Sequence, residues 1–597
     1  MMPSPLQTRA RTTCLLLALV CVGVRSSRVG AQASAAARCA AGAGPAVGPL
    51  AGRRIAEVRI VTQGPVALPG GVGALLHVTT REETIRSRLL FSAGDTLDTL
   101  RVAESVRRLR RLRYLHGAAV MASCDSAGGV VLAVVTRDAW SMQPRLSAAG
   151  SGTAVAGVEE TNLLGTGRAG RIYARSDHGQ LGVGAAYTDP SLLGARLVAT
   201  ISHDSYGDGG AWSASAQTRE AGVFDAWGFS ASARKSARRT VTPAPGAALG
   251  DSVYRTSAAV LARRRLSLAS GTATYLLVGA ELERTLVVSG PDLPLAGPST
   301  VRRTFAGMDI GVGRRAGQFT TIPWLVPVTD EESARLAPPE VPVGLEGEGV
   351  VAVGRDVTAA RPAARVDLWL GRVWSAGTQR VAQPAALATQ EPRAVIAADL
   401  WASGFRPLTS AGEWSAGAIR SSITAVSPAP RGLWLARLSG EHLMDPDPDV
   451  RRLLMGDDAQ HALPPGSRLA EFAVSGSLER TIPLLGARRG FVLDGAMFVA
   501  ASARWDVAVP LSAAARSAGL LEAASDLPVV SGMEHVHLGS VGLGLRLSPT
   551  RFGQSTFGLD VGVPLLRSPA VRGRPYFALS IRPAFGRNRG RGSGSVP

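Results

Sequence analysis

After Val24 the chain holds no apolar run near the roughly eighteen residues that a membrane-spanning helix needs. The one apolar stretch before that point, 14–24, is too short to span a bilayer. It follows Arg9 and Arg11 and precedes the small residues Ala31 and Ala33, the layout of a secretory signal peptide. Val20 precedes Cys21, where a lipoprotein signal needs a small residue, which argues against lipidation. An exported chain without a helical anchor is either soluble or a closed β-barrel, because hydrocarbon accepts no unpaired backbone. Cysteine is scarce too: of four, Cys14 and Cys21 fall in the expected signal. Cys39 and Cys124 remain, as a disulfide formed in an oxidising compartment or as two free thiols.

Lysine is almost absent. Lys235 is the only one, so the formal charge of +19 and the pI of about 11.1 rest on arginine. Those arginines are spread along the chain rather than gathered on one element, which argues against a nucleic-acid partner. Lipid phosphates, acidic groups in a lumen, or water are the expected company. Aromatic residues make up only 5%, thin for the two girdles of a membrane barrel. Catalytic signatures are missing as well: there is no Gly-x-Ser-x-Gly elbow, no His-Glu-x-x-His and no coherent Ser/His/Asp grouping. His535 and His537 share one strand face but have no third ligand nearby. The prolines between Asp445, Asp447 and Asp449 preclude an EF-hand turn, and Gly70–Gly73 reads as a turn rather than a phosphate loop. The expectation is no enzyme, no metal and no cofactor.

What is present is alternation. In 556–564, Phe557, Leu559, Val561 and Val563 alternate with Gly558, Asp560 and Gly562. In the last such segment Phe577, Leu579, Ile581, Pro583 and Phe585 oppose Ser580 and Arg582. Earlier segments repeat the pattern. Leu276, Val278, Ala280 and Leu282 oppose Leu277, Gly279, Glu281 and Glu283. Val366, Leu368 and Leu370 oppose Arg365, Asp367 and Gly371. Phe472, Val474 and Leu478 oppose Ser475, Ser477 and Glu479. Val541, Leu543, Leu545 and Leu547 oppose Gly542, Gly544 and Arg546. Period two means a strand with one greasy face and one wet face. A soluble sandwich makes the same pattern with its faces reversed. A run of such segments from about residue 140 without a convincing helix favours a barrel with lipid outside and a polar lumen. A slip of one residue would put Arg546 into lipid, at about 2–4 kcal/mol. The expected count is about sixteen strands, with 330–333 and 338–349 forming a long irregular extracellular loop.

Residues 54–138 have a different texture. Strand-like alternation over 55–61 is followed by Thr80-Arg81-Glu82-Glu83, which has capping-box spacing, and by an amphipathic stretch, 85–91. Gly94-Asp95 marks a turn, and Asp98 can cap a second helix bearing Val102, Val106 and Leu109 on one face. Strands are expected at 114–123 and 129–137, and a core at Val58, Ile60, Leu89, Val106, Leu109, Val131 and Val134. The fold class is therefore mainly β: an N-terminal α+β domain, then an antiparallel transmembrane barrel. The boundaries are a signal peptide (1–31), a linker (32–53), the small domain (54–138), the barrel (139–585) and a flexible basic tail (586–597).

The order strand, helix, helix, strand, strand, with Gly94-Asp95 and the run 104–110, resembles a polypeptide-transport-associated (POTRA) domain. Followed by a barrel, it resembles the BamA/TamA superfamily of outer-membrane assembly and translocation proteins. Thr136-Arg137-Asp138-Ala139-Trp140, Glu160-Thr161-Asn162-Leu163-Leu164-Gly165-Thr166-Gly167 and Tyr187-Thr188-Asp189-Pro190-Ser191-Leu192-Leu193-Gly194 are similar to that family's entry strands. The resemblance implies a periplasmic small domain, client strands added at its sheet edge, and a seam joining 144–150 to Tyr576, Phe577, Leu579, Ile581 and Phe585. The implied partners are outer-membrane lipids, unfolded polypeptide clients and periplasmic proteins.

It also implies a lumen loop bearing Arg-Gly-Tyr. The corresponding segment includes Asp457 and Asp458, and His461, Ala462 and Leu463 stand where that triplet is expected. In the wall segment Ala500 takes the place of the family's aspartate, near Ser502, with Asp494 as an alternative alignment. Loss of both halves of an ion pair strands no charge, so the loop lock is expected to be absent or differently built. Two other functions fit the same pattern: a passive pore or transporter, and a surface-loop protein.

Overall fold

The structure is a computed structural model. It describes residues 47–583 apart from 48–49, 66–76, 125–128, 150–152, 178–179, 207–208, 220–222, 245–246, 270–271, 290–299, 316–318, 322–339, 381–389, 409–414, 430, 445–471, 489–490, 507–533, 550–554 and 566–575. The small domain has the expected element order: β1 (Ile55–Gln63), helices Glu82–Arg86 and Thr99–Arg110, β2 (Leu115–Cys124) and β3 (Val130–Asp138). Its sheet runs β1-β3-β2, with β1 parallel and β2 antiparallel to β3. β3, the central strand, is rich in valine and buried on both faces. Ile55, Val58, Ile85, Leu97, Leu109, Leu132 and Val134 form the core, and Ile60 and Leu89 pack against it. Val106 and Val131 are also buried. Cys124 is disulfide-bonded; Cys39, the partner in one of the two sequence readings, lies outside the described residues.

Local signals explain the helices. The Asp98 carboxylate accepts the backbone N–H of Leu100 at 2.8 Å and so caps Thr99–Arg110. At the Gly94-Asp95 turn, the Ser92 backbone N–H and hydroxyl hold the Asp95 carboxyl below its usual range. Two expectations fail. The first helix spans only Glu82–Arg86, and Phe91 is buried beyond its end. Thr80 does not cap it: the N-cap is Arg81, without a side-chain cap. The Thr80 hydroxyl is used elsewhere.

Among the described residues, the second part is one ring of twenty antiparallel strands rather than about sixteen. The first ten are β4 (Met142–Ala149), β5 (Thr153–Leu163), β6 (Arg168–Asp177), β7 (Gln180–Asp189), β8 (Leu197–Tyr206), β9 (Gly209–Thr218), β10 (Trp227–Ala244), β11 (Ala247–Ala269), β12 (Thr272–Ser289) and β13 (Thr300–Arg315). A two-stranded piece, β14 (Phe319–Thr321) with β15 (Glu340–Pro342), interrupts the series. The second ten are β16 (Gly344–Asp356), β17 (Arg361–Arg380), β18 (Gln390–Pro407), β19 (Ser415–Ala429), β20 (Gly432–Met444), β21 (Phe472–Arg488), β22 (Phe491–Asp506), β23 (Glu534–Pro549), β24 (Ser555–Pro564) and β25 (Tyr576–Pro583). The undercount has a physical source. Strands such as β10, WGFSASARKSARRTVTPA, put alanine outside and serine inside, so their period is faint.

The faces fall as alternation requires. Val278, Leu282, Leu478, Leu543 and Val561 are exposed, whereas Leu277, Ser475, Glu479, Arg546 and Asp560, on the opposite faces, are buried. The outside is thus a band of exposed apolar side chains, a surface lipid accepts and water does not. No described helix is long and apolar enough to cross a membrane.

Antiparallel alternation also sets the sides. The β5–β6, β7–β8 and β9–β10 turns lie at the small domain, so the β13–β16 segment does too. The Arg107 guanidinium sits 4.3 Å from the centre of the Phe319 ring. This corrects the expected extracellular loop. Its latter part belongs to strand β16, the connection emerges on the small-domain side, and 330–333 lies outside the described residues.

Candidate functional site

Two features of the ring bear on function: the docking of the small domain at one mouth, and the seam where the ring closes. Docking is built from the segments that resemble the family's entry strands. In the β5–β6 turn, Leu164, Gly165 and Gly167 have φ of 55°, 75° and 71°. A Cβ on Gly165 would stand 2.4 Å from the Thr79 carbonyl oxygen, and one on Gly167 would stand 2.6 Å from the Tyr114 hydroxyl. Only glycine lets this turn touch the small domain so closely. The Gly165 carbonyl accepts the Arg81 backbone N–H at 2.9 Å and the Thr84 hydroxyl at 3.0 Å.

Asn162, fully buried, holds both partners. Its amide donates to the Thr80 hydroxyl at 2.9 Å, and its carbonyl oxygen accepts the Gly167 N–H at 2.7 Å. The Thr80 backbone N–H donates to buried Asp138 at 2.8 Å, and the same carboxylate oxygen meets His77 Nε2 at 3.0 Å. Farther around the mouth, Arg108 pairs with Asp225 at 2.9 Å and Arg219 donates to the Ser87 carbonyl at 2.6 Å. Arg113 bridges Glu159 and Gln143, each at 2.8 Å. Charged groups buried at such a junction persist only when paired. The β7–β8 turn repeats the β5–β6 design, with positive φ at Leu193 and Gly194.

The inner wall carries two ion networks. Arg365 on β17 reaches Glu283 Oε2 at 3.0 Å, Glu281 at 3.4 Å and Asp367 at 3.0 Å, while Arg255 on β11 holds Glu283 Oε1 at 2.7 Å. Nearer the seam, Arg546 on β23 makes a bidentate pair with Glu479 on β21, both bonds at 3.0 Å, and a third bond to Asp560 on β24. Exposures are 5% for Arg546, 6% for Glu479 and 0% for Asp560. The triad staples three strands just before the ring ends.

At the seam itself, among the described residues, β25 meets β4 over two residue pairs, Ala578 with Ala149 and Leu579 with Ala148. By contrast, β24 and β25 pair over eight. Pro144 in β4 and Pro583 in β25 each lack a backbone donor.

Of the residues singled out from the sequence, Tyr576, Phe577, Leu579 and Ile581 fall in the last strand as expected, while Phe585 lies outside the described residues. Asp457, Asp458, His461, Ala462 and Leu463 also lie outside them, so the loop is not placed. Ala500 is buried on the inner wall, paired in register with Ser477 and Ser540; Ser502 belongs to the same strand. Asp494 stands opposite Arg546 in register. The hydrogen bonds of Arg546 go to Glu479 and Asp560. The sequence marked Glu479, Arg546 and Asp560 each as polar-face residues. It carried no signal that they meet, because that depends on the register across four strands. His535 and His537 fall in β23, and no described cluster of His, Cys, Asp or Glu could hold a metal.

No family model matches the chain, and no characterised protein matches it in sequence. Solved structures similar in fold include BamA from Haemophilus ducreyi lacking POTRA domains 1–3, with 12% identity and a TM-score of 0.35, covering 89% of this chain and 85% of that one. CdiB from Escherichia coli has 11% identity and a TM-score of 0.44, covering 88% and 76%. CdiB from Acinetobacter baumannii has 11% identity and a TM-score of 0.35, covering 89% and 74%.

Proposed function

We propose that this chain is an outer-membrane barrel of the assembly or translocation type, with its small domain of the POTRA kind on the periplasmic side. Unfolded polypeptide would reach the barrel from that domain, whose sheet order leaves β1 and β2 as edges for strand addition. The observation that carries the reading is the seam. Among the described residues, two register pairs close a ring whose other junctions are much longer, so the wall opens most readily between β25 and β4. An opened seam presents two strand edges to a client and to lipid together.

The test is a cysteine pair at Ala149 and Ala578, register partners across the seam. Oxidation is expected to block function in cells, measured as a fall in other outer-membrane barrels, and reductant is expected to restore it. A cysteine pair at Val561 and Phe577, inside the β24–β25 ladder, serves as the control. Full function with the seam locked, or an unchanged outer-membrane protein inventory after depletion, would refute the proposal. A second reading, a passive pore, is favoured by the strand number. Rings of about sixteen to eighteen strands already leave an aqueous channel, and this one has twenty. Steady single-channel conductance of the seam-locked protein would support it.

A further inference from the structure

Among the described residues, five cations stand exposed on the outer face of β10 to β13: Arg264 and Arg314 at the small-domain end, and Lys235, Arg284 and Arg302 together at the other. Alternation fixes their direction. On β12, Arg284 shares a face with exposed Val278 and Leu282, and buried Thr285 is on the other. On β13, Arg302 shares a face with exposed Met308 and Ile310, opposite buried Phe305 and Asp309. On β10, Lys235 shares a face with exposed Phe229. The register gathers the three. Lys235 lies opposite Thr256, Thr256 opposite Arg284, and Arg302 opposite Leu286, two residues along from Arg284. At about 4.8 Å between strands, Lys235 and Arg284 are about 10 Å apart. Arg284 and Arg302 are diagonal neighbours at about 7–8 Å.

Height places the patch. Arg264 and Trp227 lie in register with Leu276 at the small-domain end of the apolar band. From Leu276 to Arg284 is eight residues of β12. At about 3.4 Å per residue and a tilt of about 40°, that rise is roughly 21 Å, close to the band of a membrane barrel. The cations therefore mark the far rim, away from the small domain. Trp212, exposed and in register with Lys235, stacks on His203 with ring centres 4.0 Å apart, an amphipathic anchor at the same level. None of the three cations has a described side-chain partner. No described outward-facing residue of β10 to β13 is acidic.

We infer that this patch binds the phosphate of a phosphorylated lipid headgroup in the leaflet distal to the small domain. Two guanidinium forks and one ammonium match the several oxygens of such a group, while the acyl chains lie along Val278, Met308 and Ile310. The inference rests on the membrane reading above.

The test uses the full chain in detergent, titrated with a phosphorylated glycolipid, with its dephosphorylated form and with inorganic phosphate, and read by native mass spectrometry. The wild type is expected to prefer the phosphorylated lipid. The triple variant Lys235→Ser, Arg284→Ser, Arg302→Ser is expected to bind it on the order of a hundredfold more weakly, about fivefold per charge. Arg264→Ser with Arg314→Ser, at the opposite rim, is expected to leave affinity within about twofold. Equal binding by wild type and triple variant would overturn the patch, as would displacement by millimolar inorganic phosphate, which would mark a soluble-anion site. A wild type folded as a heat-modifiable barrel but indifferent to headgroup phosphate removes the patch alone. A wild type that never enters lipid removes the membrane reading with it.

Discussion

Arg546→Met is expected to destabilise the closed barrel by about 3–5 kcal/mol, the penalty for leaving a buried charge without its partner. Arg546, Glu479 and Asp560 are nearly inaccessible to solvent, and one guanidinium serves two carboxylates with three hydrogen bonds. With arginine present the group carries a net charge of minus one. Methionine keeps most of the volume but leaves two buried carboxylates repelling each other, with Asp494 close in register. Adding Glu479→Gln and Asp560→Asn to Arg546→Met removes all three charges and is expected to recover most of the loss, since an ion cluster replaced as a whole costs little. The assay is the conversion of the compact barrel to its unfolded form on unheated gels, as a function of temperature or urea. A single variant as resistant as wild type would refute the reasoning, and so would a triple variant no better than the single.

Other perturbations probe other layers. Asn162→Ala strands the Thr80 hydroxyl and the Gly167 N–H, and is expected to loosen the domain junction by about 1–3 kcal/mol. Faster protease cleavage in the β5–β6 turn would report it, and an unchanged rate would speak against the docking role. Asp98→Ala removes the cap of Thr99–Arg110 and should lower small-domain stability by about 1 kcal/mol, seen as weaker amide protection across that helix. Val278→Arg puts a charge on the outer face and should cost about 2–4 kcal/mol in lipid. A neutral effect would mean that the outer face does not meet hydrocarbon.

Much of the fold was legible because strands with one apolar and one polar face declare their orientation. Val541, Leu543 and Leu545 against Gly542, Gly544 and Arg546 leave one orientation possible, and the structure adopts it. The small domain was legible for another reason: Asp98, Gly94 and the valines of β3 are local signals that act within a few residues. The strand count was not, because β9 and the stretch 228–237 of β10 are rich in alanine, serine and glycine, whose alternation is faint. The start of β16, 344–349, was read as part of a loop because Gly344, Gly347 and Gly349 dilute its alternation. Thr80 misled for a related reason. Its capping spacing was genuine, yet a buried asparagine more than eighty residues away competes for the same hydroxyl. The Glu479–Arg546–Asp560 triad needed register, which no short window contains.

The placement of Phe319 under Arg107 has a mechanical consequence. Every anchor named for the small domain lies beneath β4 to β13 or the segment that follows it, so the domain grips one arc of the circumference like a bracket screwed to one doorpost. The arc from β17 to β25 carries the stapled panel and ends at the short closure. If the seam opens as proposed, that arc is the side expected to move, while β4 stays beside the bracket.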